Sequence, residues 1–85
     1  MLVDAQLTRS DARGVVEMIE RSGANLKPVF ITHAHPDHYL GLETLSRAFP
    51  RARIFTSQGT AIAIAGNGKA ARLYWRERLG EDIAD

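Results

Sequence analysis

Cysteine is absent from this chain of 85 residues. Its absence excludes disulfide bonds and thiolate metal ligands, so any metal site must be built from histidine and carboxylate side chains. The chain is also short, and short chains bury only a modest fraction of their surface on folding. We therefore expect one domain at most, with a thin hydrophobic core.

Long apolar runs and a strong charge of one sign are missing as well. No stretch is apolar for long enough to cross a membrane. The first residues show no basic region followed by an apolar run and a cleavage site, so no signal peptide is expected and the localisation stays open. The 11 basic and 10 acidic residues leave a net charge of +1, which provides no overall field to attract nucleic acid or acidic lipid.

Cap and turn signals divide the first half of the chain. The segment 8–11 has the Ser/Thr-x-x-acid form of a helix start, and Gly23 stands where a left-handed cap would end that helix near Ser22. Strands are predicted on either side of it, at residues 2–5 and 29–32. The second strand is β-branched and aromatic without alternation, a pattern that predicts burial on both faces.

The second half repeats the alternation of strand and helix. A helix is predicted from about residues 37–41 through Phe49, where Pro50 stops it, and a strand follows at 53–56. Residues 66–68, Gly-Asn-Gly, are a breaker that predicts two separate helices, one over 57–65 and one over 69–79. The chain is thus expected to form an α/β fold with a short parallel sheet, helices on one face and the other face bare.

All three histidines of the chain lie close together, in the pattern H-x-H-x-D-H. His33 and His35 occupy alternate positions leaving a strand, so their side chains can converge on one ion. Asp37 and His38 follow a proline, where a turn can bring this second pair toward a neighbouring ion. Imidazole and carboxylate groups are ligands that zinc and its first-row neighbours accept. The same residues are also compatible with solvated loop side chains, or with Asp37 as the cap of the next helix.

The segment Thr32–Gly41 resembles the signature of the metallo-β-lactamase superfamily, which is H-x-H-x-D-H after a strand, with a glycine three residues on. The segment 2–5, Leu-Val-Asp-Ala, resembles the family's preceding strand, whose final aspartate supports the metal loop. The resemblance implies an αββα sandwich, of which this chain would form part. His38 stands where the true β-lactamases nearest in motif often carry arginine, so a penicillin-hydrolysing role is not favoured.

The resemblance also implies a site and a reaction. His33 and His35 would bind a first zinc ion, and Asp37 and His38 a second, with other first-row metals possible. Asp37 would also handle the proton during hydrolysis. The implied function is a metal-dependent hydrolase that acts on a small-molecule ester, thioester, lactone, amide or phosphodiester.

No histidine follows His38, so the family's later metal ligands are missing, and its opening strands are missing too. We therefore expect a fragment that carries half of a dinuclear site. It would associate with a second copy, or with the missing remainder of the fold, through the bare sheet face. An alternative function, favoured for the 85-residue chain by itself, is a metal-binding or interaction module without turnover. A structural fragment with idle loop histidines is a third.

Overall fold

Three short parallel strands form the centre of the fold. The computed structural model describes residues 1–84. The strands are β1 (Leu2–Val3), β2 (Pro28–Ile31) and β3 (Arg53–Thr56). They pair in the order β1-β2-β3 and all run parallel. The prediction of an α/β fold with a short parallel sheet is confirmed.

Helices make up the second layer of the molecule. They are α1 (Arg9–Ser22), α2 (Pro36–Tyr39), α3 (Leu42–Ala48) and α4 (Gln58–Leu79), and a 3₁₀ turn follows at Gly80–Asp82. The shortest dimension of the molecule is 16 Å, as expected for one helical layer on one sheet. Within residues 1–84, none of the helices has both the length and the apolar character that crossing a membrane demands.

The ends of α1 match the sequence signals closely. The Thr8 hydroxyl accepts a hydrogen bond from the Asp11 amide at 3.0 Å, and so satisfies one of the unpaired amides of the first turn. Gly23 follows the helix with a φ of 73°, and its amide donates to the Glu20 carbonyl. The left-handed conformation suits glycine because it has no Cβ. Both predicted ends of this helix are confirmed.

The predicted break at residues 66–68 is wrong, because α4 is a single helix of 22 residues. The Ser57 hydroxyl caps its start by accepting the Thr60 amide at 3.1 Å. A glycine costs about 1 kcal/mol in a helix interior relative to alanine. In a helix this long, the hydrogen bonds on both sides of Gly66 and Gly68 outweigh that local cost.

The helix predicted through Phe49 is instead divided into α2 and α3 at Gly41. The Gly41 amide donates to the Gln6 carbonyl at 2.9 Å. A Cβ at this position would overlap the Ala5 carbonyl oxygen and lie 3.0 Å from the Ala12 Cβ. The backbone that leaves β1 thus lies so close to the backbone of Gly41 that only glycine fits at this position.

The two faces of the sheet differ in burial. Val29 and Ile31 face the helices and are each 1% exposed, whereas Phe30 points the other way and is 39% exposed. Its register partners Val3 and Phe55 are each 50% exposed. The prediction that β2 is buried on both faces is therefore wrong. We call Val3, Phe30 and Phe55 the bare face.

The 3₁₀ turn and the residues after it return to the core. Ile83 is fully buried, and its carbonyl accepts a hydrogen bond from Arg76 Nη1 at 2.6 Å. The Asp82 carboxylate accepts the amide of Ser10, in the first turn of α1, at 2.9 Å. Hydrogen bonds from the Ser10 hydroxyl and amide hold the pKa of Asp82 below its usual range. These contacts join the end of the described chain to α1 and α4.

Candidate metal centre

The three histidine rings lie together where the central strand β2 ends. The ring centroids of His33 and His38 are 4.9 Å apart, those of His33 and His35 are 6.0 Å apart, and those of His35 and His38 are 6.4 Å apart. The carboxyl end of a strand in a parallel sheet is where open α/β folds place their ligands. The fold therefore brings the three predicted imidazole ligands to one place.

Asp4 supports this cluster from the end of β1. Its Oδ1 accepts the Thr32 amide at 2.8 Å, and its Oδ2 accepts the Thr32 hydroxyl at 2.8 Å and His38 Nδ1 at 2.7 Å. Asp4 has a φ of 65°, a left-handed conformation that aspartate tolerates better than most residues. The carboxylate thus links the β1 exit to both ends of the histidine loop, as the sequence resemblance implied.

The contact between Asp4 and His38 shifts the pKa of both side chains. For His38, the hydrogen bond to Asp4 raises the pKa above its usual range, against a smaller opposing effect of burial. For Asp4, burial raises the pKa, but hydrogen bonds from Thr32 and His38 together outweigh it and leave the pKa lowered. Both shifts favour the charged pair, so His38 is held by an ionised carboxylate.

Asp37 and His35 are less constrained than His38. The Asp37 side chain is 68% exposed, and its Oδ1 lies 3.7 Å from His38 Nε2. His35 is exposed and occupies the N-cap position of α2, where its side chain makes no capping hydrogen bond. Because His35 is the N-cap and Pro36 the first helical residue, Asp37 does not cap this helix. Its carboxylate faces solvent beside the imidazoles.

Backbone contacts fix the loop where α2 begins. The Ala5 amide donates to the His38 carbonyl at 2.7 Å, and Tyr39 and Leu40, the next two residues, are only 6% and 5% exposed. Together with the close approach at Gly41, these contacts hold the segment that carries Asp37 and His38 against the exit of β1. The sequence did not indicate them, since they join residues more than 30 positions apart.

The residue types in this cluster, imidazole and carboxylate, are ones that zinc accepts as ligands. Two imidazoles bound to one tetrahedral zinc have ring centroids about 5 Å apart, given Zn–N distances of about 2.0–2.1 Å. His33 and His38 have this separation, at 4.9 Å, whereas His33 and His35, the pair predicted to share an ion, are 6.0 Å apart. Among residues 1–84, however, no three His, Asp or Glu side chains are arranged to hold one ion. The loop thus brings the candidate metal ligands close together, but it does not arrange three of them around one point.

Comparison with known proteins agrees with the fold and with the motif. Residues 1–83 match the family model described as Beta-lactamase superfamily domain. The chain is 33% identical to the uncharacterized protein YobT of Bacillus subtilis (strain 168) over 66 residues, which are 78% of this chain and 28% of that protein. It is 43% identical to a hydroxyacylglutathione hydrolase of Synechococcus sp. (strain JA-2-3B'a(2-13)) over 47 residues, which are 55% of this chain and 19% of that protein.

The chain spans less than a third of the length of these two curated relatives. No solved structure matches it at a significant level. The family model therefore covers almost all of this chain, whereas each relative aligns with part of the chain and with a smaller part of its own length.

Proposed function

The chain belongs to the β-lactamase superfamily, and we propose that it carries part of the metal site of a metal-dependent hydrolase. In this proposal His33 and His35 hold one zinc ion, and Asp37 and His38 hold a second. The observation that carries the proposal is the grouping of the three imidazoles, with centroids 4.9–6.4 Å apart, beside an aspartate that anchors one of them. Metal-ligating histidines generally donate their second ring N–H to such a carboxylate or carbonyl.

Zinc, when bound, supplies a Lewis acid that polarises a substrate carbonyl and makes water more acidic. The chain's own residues orient the donors and move the proton. Asp4 accepts a hydrogen bond from His38 Nδ1. The other ring nitrogen, Nε2, lies toward Asp37 and is the one that would bind zinc. The exposed Asp37 carboxylate is the group that we propose accepts the proton of the attacking water.

The name of one relative suggests the first substrate to test. Because the Synechococcus protein is a hydroxyacylglutathione hydrolase, we propose that this chain's family role is hydrolysis of an activated acyl group. Hydroxyacylglutathione is the first probe, and a general ester is the second.

A second function is favoured by one observation about the site. Catalytic zinc generally takes three protein ligands, whereas no three candidate ligands among residues 1–84 are arranged around one point. We therefore propose as the alternative that the isolated chain binds metal, or a partner, without turnover.

Hydrolysis of the two probes by the zinc-supplemented chain tests the catalytic proposal. Asp37→Ala is expected to abolish turnover while leaving the circular dichroism spectrum unchanged, because Asp37 is exposed and makes no cap. Asp11→Asn, a change of an acid on α1 outside the loop, is the matched control and should retain activity. Zinc binding by the wild-type chain without turnover would favour the alternative, and unchanged turnover in Asp37→Ala would reject Asp37 as the proton acceptor.

A further inference from the structure

The hydroxyl of Thr32 lies among three groups of the candidate metal centre. Its Oγ1 is 2.8 Å from Asp4 Oδ2, 2.9 Å from His33 Nδ1 and 3.3 Å from His38 Nδ1. A hydroxyl has one hydrogen to donate and two lone pairs with which to accept. The direction of each hydrogen bond here therefore depends on the others.

Asp4 determines where the Thr32 hydrogen points. An ionised carboxylate can only accept, so the Thr32 hydroxyl donates to Asp4 Oδ2. Its single hydrogen is then used, and Oγ1 can only accept from His33. That hydrogen bond requires a hydrogen on His33 Nδ1. The 2.7 Å contact between His38 Nδ1 and Asp4 Oδ2 requires a hydrogen on His38 Nδ1 by the same reasoning.

We infer that Thr32 is a positioning residue that, together with Asp4, fixes His33 as the Nδ1–H tautomer. In a neutral imidazole one nitrogen carries the hydrogen and the other the lone pair, so this tautomer presents the lone pair of Nε2. A free neutral histidine in water prefers the Nε2–H tautomer, so the protein must impose the Nδ1–H tautomer on His33. The consequence for metal binding rests on the proposed function, but the tautomer itself does not.

Nitrogen-15 NMR of the metal-free chain, at a pH where the imidazoles are neutral, measures the tautomer directly. The wild-type chain is expected to show His33 with a protonated Nδ1 and a bare Nε2. Thr32→Val removes the hydroxyl with little change of shape, and should move the His33 signals toward the Nε2–H form. Thr32→Ser, which keeps the hydroxyl, should restore the wild-type pattern.

Thr56→Val is the matched control. Thr56 ends the neighbouring strand β3, pairs in register with Ile31, and donates its hydroxyl hydrogen to the Ile31 carbonyl at 2.7 Å. It should leave the histidine tautomers unchanged. A bare Nδ1 on His33 in the wild-type chain would overturn the inference without any variant, and so would an unchanged tautomer in Thr32→Val.

Zinc affinity provides the second readout. Loss of a group that orients a ligand typically lowers metal affinity 10–100-fold, so Thr32→Val should bind zinc at least about tenfold more weakly, with Thr32→Ser and Thr56→Val close to wild type. Equal affinity in Thr32→Val and wild type would overturn the role in metal binding. If the tautomer follows the expected pattern while no form binds zinc, the proposed function fails and the tautomer assignment stands.

Discussion

The histidine loop at residues 32–39 and the helix α4 are stabilised in different ways. The loop is exposed at His33, His35 and Asp37, yet hydrogen bonds from Asp4 and a backbone bond from Ala5 fix it. Helix α4 is regular over 22 residues and none of them is buried. The candidate metal ligands are therefore positioned by contacts with residues distant in the sequence, whereas α4 is a regular element without a buried residue.

Gly41→Ala is expected to have the largest effect on this comparison. A Cβ there would overlap the Ala5 carbonyl oxygen, and overpacking against backbone has no cheap relief. We expect a loss of about 3 kcal/mol or more in the free energy of unfolding, measured by urea denaturation. Gly14→Ala in α1, where a Cβ would meet nothing within 4 Å, is the control and should not destabilise. Equal stability of Gly41→Ala and wild type would contradict the close approach at the loop.

The bare face is expected to drive self-association. Val3, Phe30 and Phe55 form an exposed apolar row across the three strands, and an exposed apolar sheet face promotes pairing. We expect the chain to form dimers or larger species in light scattering, and Phe30→Thr combined with Phe55→Thr to halve the mass or reduce it further. Ile62→Thr on α4, a site that is 66% exposed, is the control. A wild-type chain that stays monomeric at high concentration would reject this prediction.

The contact between Asp4 and His38 predicts a pH dependence of stability. The pKa of His38 is raised, so its contribution is complete below the unfolded value of about 6.5 and is lost as the pH rises through the folded pKa. The pKa of Asp4 is lowered, so its contribution is present above about 3.9 and is lost as the pH falls through the folded pKa. Stability from this pair is thus greatest between the two values. A hydrogen bond to a charged group contributes about 1.5–3 kcal/mol, which bounds the decline on the alkaline side.

Urea denaturation from pH 5 to pH 9 measures this decline. Asp4→Asn should flatten the profile, because it removes the charge that raises the pKa of His38. Asp82→Asn, which removes an acid far from the loop in sequence, should leave the alkaline decline unchanged. The same slope in Asp4→Asn and wild type would assign the decline to other groups.

The sequence predicted those features that depend on neighbouring residues or on side-chain chemistry. The ends of α1 follow from Thr8 and Gly23, whose capping contacts are local. The histidine pattern identified the family because its spacing reflects metal-ligand chemistry. Features that depend on distant parts of the chain were predicted less well. The division at Gly41 arises from the Ala5 carbonyl, and no periodic pattern indicated that Ile83 is buried.

Two errors have the same origin. The glycines of residues 66–68 have a low helix propensity and so predict a break, but the hydrogen bonds of a long capped helix outweigh this local cost. The apolar sequence of β2 predicts burial on both faces, but an apolar residue such as Phe30 does not by itself determine which element covers it. In both cases the surroundings of the segment, and not its residues, decided the outcome.

The smallest expected effect concerns the glycines of α4. A Cβ at Gly66 would meet nothing within 4 Å, and one at Gly68 would have ordinary contacts at 3.6 and 3.7 Å. Gly66→Ala should therefore stabilise the chain by up to about 1 kcal/mol, measured by the same urea denaturation. A loss of stability in Gly66→Ala would show that α4 needs the glycine for a conformation other than a continuous helix.

Zinc titration of the metal-free chain, followed by the NMR signals of the histidine rings, tests the central claim most directly. We expect the chain to bind about one equivalent of zinc or more, and the signals of His33, His35 and His38 to shift together, because their rings lie within one cluster. His33→Ala should weaken this binding sharply. Binding of less than about a tenth of an equivalent, with the ring signals unmoved, would contradict the assignment of this loop as a metal centre.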